Sequence, residues 1–176
     1  MKINPASGQA KLWAGSASLV FLAALFLAVQ SHPDFVLFSN FLSDLGIGPQ
    51  AQWFNYGLLL TAGLLALFYN SLGVRSFAAV AGILSAFALA GVGLFPENMQ
   101  PAHLVFSTSF FSLAAFSIFL FSIKRPAVKN YLSPDLVAAW AFILSGVVFL
   151  LEHSPFWETV AVALFGSWLA AYAFRT

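Results

Sequence analysis

Long apolar stretches alternate with short polar connections along the chain, and the stretches have the length of membrane crossings. A helix needs roughly 20 mainly apolar residues, within about 17–25, to cross a bilayer. Six stretches meet this requirement: 12–30, 53–69, 77–95, 102–123, 135–153 and 156–174. The pattern predicts an all-α integral membrane bundle of six transmembrane helices, with residues 1–176 forming one domain.

The composition is typical of a membrane protein and excludes several classes of function. Of the 176 residues, 61% are hydrophobic and 7% are charged, whereas about a quarter are charged in soluble domains. The chain has no cysteine, which excludes disulfides, thiol catalysis and Cys-ligated zinc or iron–sulfur clusters. The net charge of +1 and the scattered basic residues give no indication of nucleic-acid binding.

The basic residues predict the orientation in the membrane. With six crossings, all seven Lys and Arg residues fall on one side: Lys2, Lys11, Arg75, Lys124, Arg125, Lys129 and Arg175. Basic residues are enriched in cytoplasmic connections. We therefore expect a multi-pass protein of the cell membrane with both termini in the cytoplasm.

The first external connection carries the strongest functional signal. Pro33 ends the first crossing, and Phe35–Leu45 is predicted to form a short external helix that is either interfacial or re-entrant. Asn40, Ser43 and Asp44 would share one face of that helix, because they are spaced i, i+3 and i+4. A carboxylate among apolar neighbours is costly unless it is hydrated, paired or used in function.

Further polar residues fall at the same end of the predicted bundle, and ends of packed helices can converge on one pocket. We predict Asp44 and His103 as the catalytic acid/base or ligand pair. The residues predicted to orient or bind substrate are Asn40, Ser43, Asn55, Glu97 and His153. By contrast, His32, Asp34 and Glu158 are expected to be solvated surface residues, since loop carboxylates and histidines usually are.

Three chemistries are open to this set. Asp44, His103 and His153 are candidate zinc ligands, although no His-x3-His or His-Glu-x2-His spacing supports a metal site. A carboxylate could instead orient His103 as a general base that acts on water or on a serine such as Ser43 or Ser107. The third alternative is a ligand-binding or proton-coupled site without bond cleavage.

The third crossing carries small residues at a four-residue spacing, Gly82, Ala86 and Ala90. Such a stripe lets a neighbouring helix approach closely. The neighbour could belong to the same chain, to a second copy in a homo-oligomer or to a larger membrane complex.

Three motifs and a histidine occur in one order: Asn40-x2-Ser43-Asp44-Leu45-Gly46, Phe54-Asn55-Tyr56-Gly57-Leu58, Gly91-x-Gly93-x-Phe95-Pro96-Glu97 and His103. In these the chain resembles the bacterial and archaeal polytopic membrane proteins grouped as domain of unknown function 998, from the first crossing through the fourth. The resemblance implies a six-helix membrane fold and no established activity. It also implies recurring polar positions at Asn40, Ser43, Asp44, Asn55 and His103.

The leading functional hypothesis is a membrane-embedded enzyme that acts on a lipid or other amphiphile from the outer leaflet, by hydrolysis or group transfer. The first alternative is a non-catalytic membrane protein that binds a lipid or small ligand, or an accessory subunit. The second alternative is a small transporter, although the central segments lack the ionisable residues that would mark a charged path.

Overall fold

The computed structural model describes residues 8–73, 76–123 and 134–173, with side chains from 137 onward in the last range. These residues form six α-helices, one short 3-10 helix at Leu42–Gly46, and no strand. The helices are α1 Gly8–Gln30, α2 Gln52–Ser71, α3 Phe77–Leu94, α4 Ala102–Ile123, α5 Pro134–Glu152 and α6 Pro155–Ala173. They correspond to the six predicted stretches and confirm the all-α fold class.

Among the described residues, four helices are long and apolar enough to cross a membrane: α1, α3, α4 and α6. In α5, the part with described side chains is a shorter apolar helix, Val137–Glu152. The chain is a helical membrane bundle. Its cytoplasmic side stays a prediction, because Lys11 is the one Lys or Arg within the described ranges and the other six lie outside them.

The helices form a closed ring. Each helix packs against the next one along the chain, and α6 packs against α1. Hydrogen bonds join the segment 31–51 to Glu97 in the segment 95–101 and to Glu158 just after the segment 153–154, so these three segments meet at one end of the ring. We call this end the capped end, because the 3-10 helix there contacts both α2 and α6.

Small residues bring neighbouring helices into close contact inside the ring. A side chain at Gly57 of α2 would overlap Ala24 of α1, and one at Gly82 of α3 would overlap the ring of Tyr69. Ala86 is 1% exposed. The predicted stripe therefore packs within the chain at Gly82 and Ala86, and association with another copy stays a prediction.

The half of the ring opposite the capped end is filled by aromatic side chains. The ring of Phe68 lies edge-on to Tyr172, with centroids 5.0 Å apart, and to Trp168 at 6.2 Å. All three side chains are buried. The cavity described below lies on the other side of these rings, toward the capped end.

The predicted external helix at Phe35–Leu45 is wrong in extent, since helical structure is confined to the 3-10 helix Leu42–Gly46. Two side chains compete with a regular helix for backbone donors. The Asn40 side-chain oxygen accepts from the Val36 N–H at 2.9 Å, and Asp44 Oδ2 accepts from the Phe41 N–H at 2.9 Å. Asn40 therefore lies outside the helix and does not share a helical face with Asp44.

Candidate functional site

The 3-10 helix is held over the end of the ring by hydrogen bonds from different parts of the fold. Glu158 of α6 accepts from the Leu42 N–H through Oε2 at 2.7 Å. The Ser43 hydroxyl donates to Glu97 Oε2, in the α3–α4 connection, at 2.6 Å. Side chains from two distant segments thus fix the first half of the 3-10 helix.

The C-terminal half of the 3-10 helix is held from α2 and from the end of α1. The Asn55 amide donates to the Gly46 carbonyl at 3.0 Å. His32 Nε2 lies 3.0 Å from the Ile47 carbonyl oxygen, and its Nδ1 lies 2.9 Å from that of Ala28. Asn55, predicted to orient substrate, instead bonds to backbone, and the half-buried His32 is not simply a solvated side chain.

A cavity lies below the 3-10 helix, inside the ring. It contains about 750 Å³ of empty space, part of which is open to the surroundings. Five phenylalanines contribute to its apolar wall: Phe21, Phe54, Phe110, Phe111 and Phe165. The polar residues that line it are Ser18, Ser43, Thr61, His103, Ser107 and Glu158.

His103 is buried, with 7% of its surface exposed, and lines this cavity. Its Nδ1 lies 2.8 Å from the Phe95 carbonyl oxygen. A carbonyl only accepts, so Nδ1 carries the proton, and in the neutral ring Nε2 is an acceptor. The backbone at the end of α3, and not a carboxylate, therefore orients this imidazole.

Glu158 is the site residue that sequence reasoning missed. It was expected at the surface, but it is 9% exposed and lines the cavity. A signal was present in the sequence, because Glu158, Val162, Phe165 and Leu169 follow the spacing of one helix face. All four line the cavity, so the carboxylate begins the apolar stripe that α6 turns inward.

Three carboxylates, Asp44, Glu97 and Glu158, surround the 3-10 helix. Burial raises the pKa of Asp44 above its ordinary value of 3.8, and the charge of Glu97 raises it further. The hydrogen bond from the Phe41 N–H acts in the opposite direction on the pKa of Asp44. The capped end thus concentrates carboxyl groups beside the polar end of the cavity.

Thr61 of α2 lies deeper in the cavity wall and is 3% exposed. Its hydroxyl oxygen is buried and has no hydrogen-bond partner among the described residues. Most buried polar side-chain atoms in proteins have a partner. This hydroxyl is therefore an exception in the cavity wall.

The other predicted binding residues do not face the cavity. Asn40 bonds to the backbone of its own connection. His153 is exposed, has a positive φ of 49° and stacks on Phe149 with ring centroids 5.7 Å apart. The adjacent Glu152 is exposed and accepts from the Trp157 indole N–H at 2.9 Å.

The arrangement does not fit the candidate zinc set. Among the residues that the structure describes, no three His, Asp or Glu side chains are grouped as a metal site requires. His153 is exposed beside Phe149, and Asp44 is not part of the cavity wall that contains His103.

Comparison with known proteins extends the resemblance seen in the motifs. No curated protein and no solved structure matches the chain. One family model, described as protein of unknown function (DUF998), matches residues 16–175 and so includes all six helices except the first residues of α1. The chain belongs to the DUF998 family.

Proposed function

We propose that this protein binds one amphiphile, with the apolar chain inside the helix ring and the polar head under the 3-10 helix. The observation that carries the proposal is the cavity itself, which has phenylalanine walls and places His103, Ser43 and Glu158 near its capped end. Ligand pockets in membrane bundles combine a mostly apolar wall with a few converging polar groups. A membrane lipid is the natural source of such a ligand.

The dimensions of the cavity support a chain-like ligand. On α6 the lining extends from Glu158 to Leu169, which at about 1.5 Å per residue is a depth of roughly 16 Å. With C–C bonds of about 1.5 Å in a zigzag, this depth accommodates on the order of a dozen carbon atoms. Burying such a chain is favourable only if the pocket excludes water, as its apolar wall does.

Binding is favoured over catalysis by the predicted pair because that pair is not assembled. Asp44 Oδ2 accepts from the Phe41 N–H, and His103 Nδ1 bonds to the Phe95 carbonyl. No hydrogen bond joins the two side chains. The pocket instead has the roomy apolar form expected of a binding protein.

Hydrolysis of an amphiphile is a second candidate, and one observation favours it. The Phe95 carbonyl fixes the tautomer of His103, which leaves Nε2 as the basic nitrogen of this cavity-lining ring. The nucleophile would be water, since the Ser43 and Ser107 hydroxyls donate to Glu97 and to the Leu104 carbonyl. Group transfer and transport stay predictions.

The binding proposal is tested by filling the cavity. Gly166 lines it, and a Cβ at this position has no atom within 4 Å. Gly166→Leu therefore occupies ligand space without a clash at Cβ. Gly63→Leu is the matched control, because Gly63 is exposed in the middle of α2 and also has nothing within 4 Å.

Each protein is purified in mild detergent, and bound amphiphiles are counted by native mass spectrometry. We expect one amphiphile per chain in the wild type and in Gly63→Leu, and a loss of roughly tenfold or more in Gly166→Leu, which corresponds to about 1.4 kcal/mol. Equal occupancy in both variants would place the bound lipid on the outer surface of the ring. An empty wild type, unable to take up added amphiphile, would contradict the proposal.

A further inference from the structure

The charge around the cavity limits what the head of the ligand can be. Glu158 lines the cavity. Glu97 accepts from the Ser43 hydroxyl and Asp44 belongs to the 3-10 helix, so both carboxyl groups lie at the same end. Residues 12–74 and 76–123 contain no Lys or Arg, and neither do residues 130–174. Every described residue that lines the cavity falls within these ranges, so no Lys or Arg lines it and Glu158 is its one acidic residue.

The hydrogen-bonding groups of the wall agree with the charge. Glu158 accepts from the Leu42 N–H through Oε2 at 2.7 Å and also from the Ser43 backbone. In its ionised form this side chain accepts only. His103 Nε2 accepts when the ring is neutral, since Nδ1 donates to the Phe95 carbonyl. A head group that donates hydrogen bonds would satisfy both, whereas a carboxylate or phosphate would face another carboxylate.

We propose that the ligand is a cationic amphiphile, whose ammonium head donates to the Glu158 carboxylate and to His103 Nε2 while its alkyl chain lies among the phenylalanines. Charge-assisted N–H···O bonds are about twice as strong as neutral ones. Few water molecules compete for them inside an apolar pocket. This inference rests on the proposed binding function and specifies its ligand.

The test compares three head groups that are carried by alkyl chains of the same length. Dodecylammonium, dodecanol and dodecanoate compete with a neutral fluorescent amphiphile for protein in nanodiscs of zwitterionic lipid at neutral pH. The variants are Glu158→Gln, which keeps an acceptor for the Leu42 N–H, and Glu152→Gln, which removes an exposed carboxylate at the same end. Gly166→Leu reports whether displacement occurs in the cavity.

We expect the wild type to bind dodecylammonium roughly tenfold or more tightly than dodecanoate, a difference of about 1.4 kcal/mol. Glu158→Gln should remove most of this preference and weaken dodecanol much less than dodecylammonium, because only the ammonium loses an attraction between opposite charges. Glu152→Gln should behave as wild type. The wild-type ranking alone decides the inference if Glu158→Gln does not fold.

Binding of dodecanoate that equals or exceeds that of dodecylammonium would contradict the proposal of a cationic head group. An undiminished preference for the ammonium in Glu158→Gln would contradict it as well. In either case the amphiphile still binds in the cavity, so the proposed function survives. Failure of all three compounds to compete, or displacement that Gly166→Leu does not affect, would instead reject the binding function itself.

Discussion

Asn55 fixes the C-terminal half of the 3-10 helix, and its removal should loosen the cap without unfolding the ring. Its amide donates to the Gly46 carbonyl at 3.0 Å, and Gly46 is buried. In Asn55→Ala the carbonyl loses its donor, and a buried group left unpaired costs about 1–3 kcal/mol. If this cost destabilises only the closed state of the cap, the equilibrium constant for opening rises roughly 5- to 150-fold, since about 1.4 kcal/mol is a factor of ten.

Asn55→Asp should loosen the cap more than Asn55→Ala. An aspartate has the same length, but its ionised side chain only accepts, so it places an oxygen opposite the Gly46 carbonyl oxygen. Asn70→Ala is the control on the same helix, because Asn70 is exposed near the end of α2. This ranking separates the loss of a hydrogen bond from a change in side-chain volume.

Hydrogen–deuterium exchange, followed by mass spectrometry of peptides that cover residues 42–47, measures the opening directly. We expect faster exchange in these peptides by the factor above, and unchanged exchange in α3 and α4, because local opening is reported by the amides it exposes. Wild-type exchange rates over 42–47 in both Asn55 variants would refute the anchoring role. Faster exchange in all helices would show a global loss of stability instead.

Two further variants address the carboxylates and the histidine. Asp44→Asn keeps an acceptor for the Phe41 N–H and removes the charge. The folded protein raises the pKa of Asp44 above the ordinary value of 3.8. This carboxyl therefore stabilises the fold fully at pH below 3.8, and its contribution is lost as the pH rises through the folded pKa. The midpoint of thermal unfolding of Asp44→Asn should therefore rise above that of wild type between acidic and neutral pH, and a gap that is constant with pH would contradict this. If the protein hydrolyses acyl-chain esters, His103→Gln should lower the rate by about 100-fold or more, since general-base catalysis contributes about 10²–10⁴-fold. Asp44→Asn should change the rate little. An equal loss in both variants would instead support Asp44 and His103 acting together as a catalytic pair.

The hydrophobic pattern was sufficient to predict the helices. Apolar runs of membrane length specify helices because the backbone must satisfy its own hydrogen bonds in lipid. The Gly82 and Ala86 positions also revealed a packing face, which α3 turns toward Tyr69. These features depend on the local sequence and on the solvent, so they can be predicted without knowledge of the tertiary structure.

The polar site was predictable only in location. Ser43, Asn55, Glu97 and His103 were expected at one end of the bundle, and all four lie at the capped end. Their roles depend on partners: Asn55 meets a backbone carbonyl, and His103 is oriented by Phe95 rather than by Asp44. A side chain that can donate or accept does not specify which group it will face.

Glu158 shows most clearly what required the tertiary structure. Its partner, the Leu42 N–H, lies 116 residues away in the chain, and no local pattern joins the two. Burial of a carboxylate is costly unless other elements supply hydrogen bonds. Only the closure of α6 onto α1, which brings the start of α6 under the 3-10 helix, makes that environment and creates the cavity beside it.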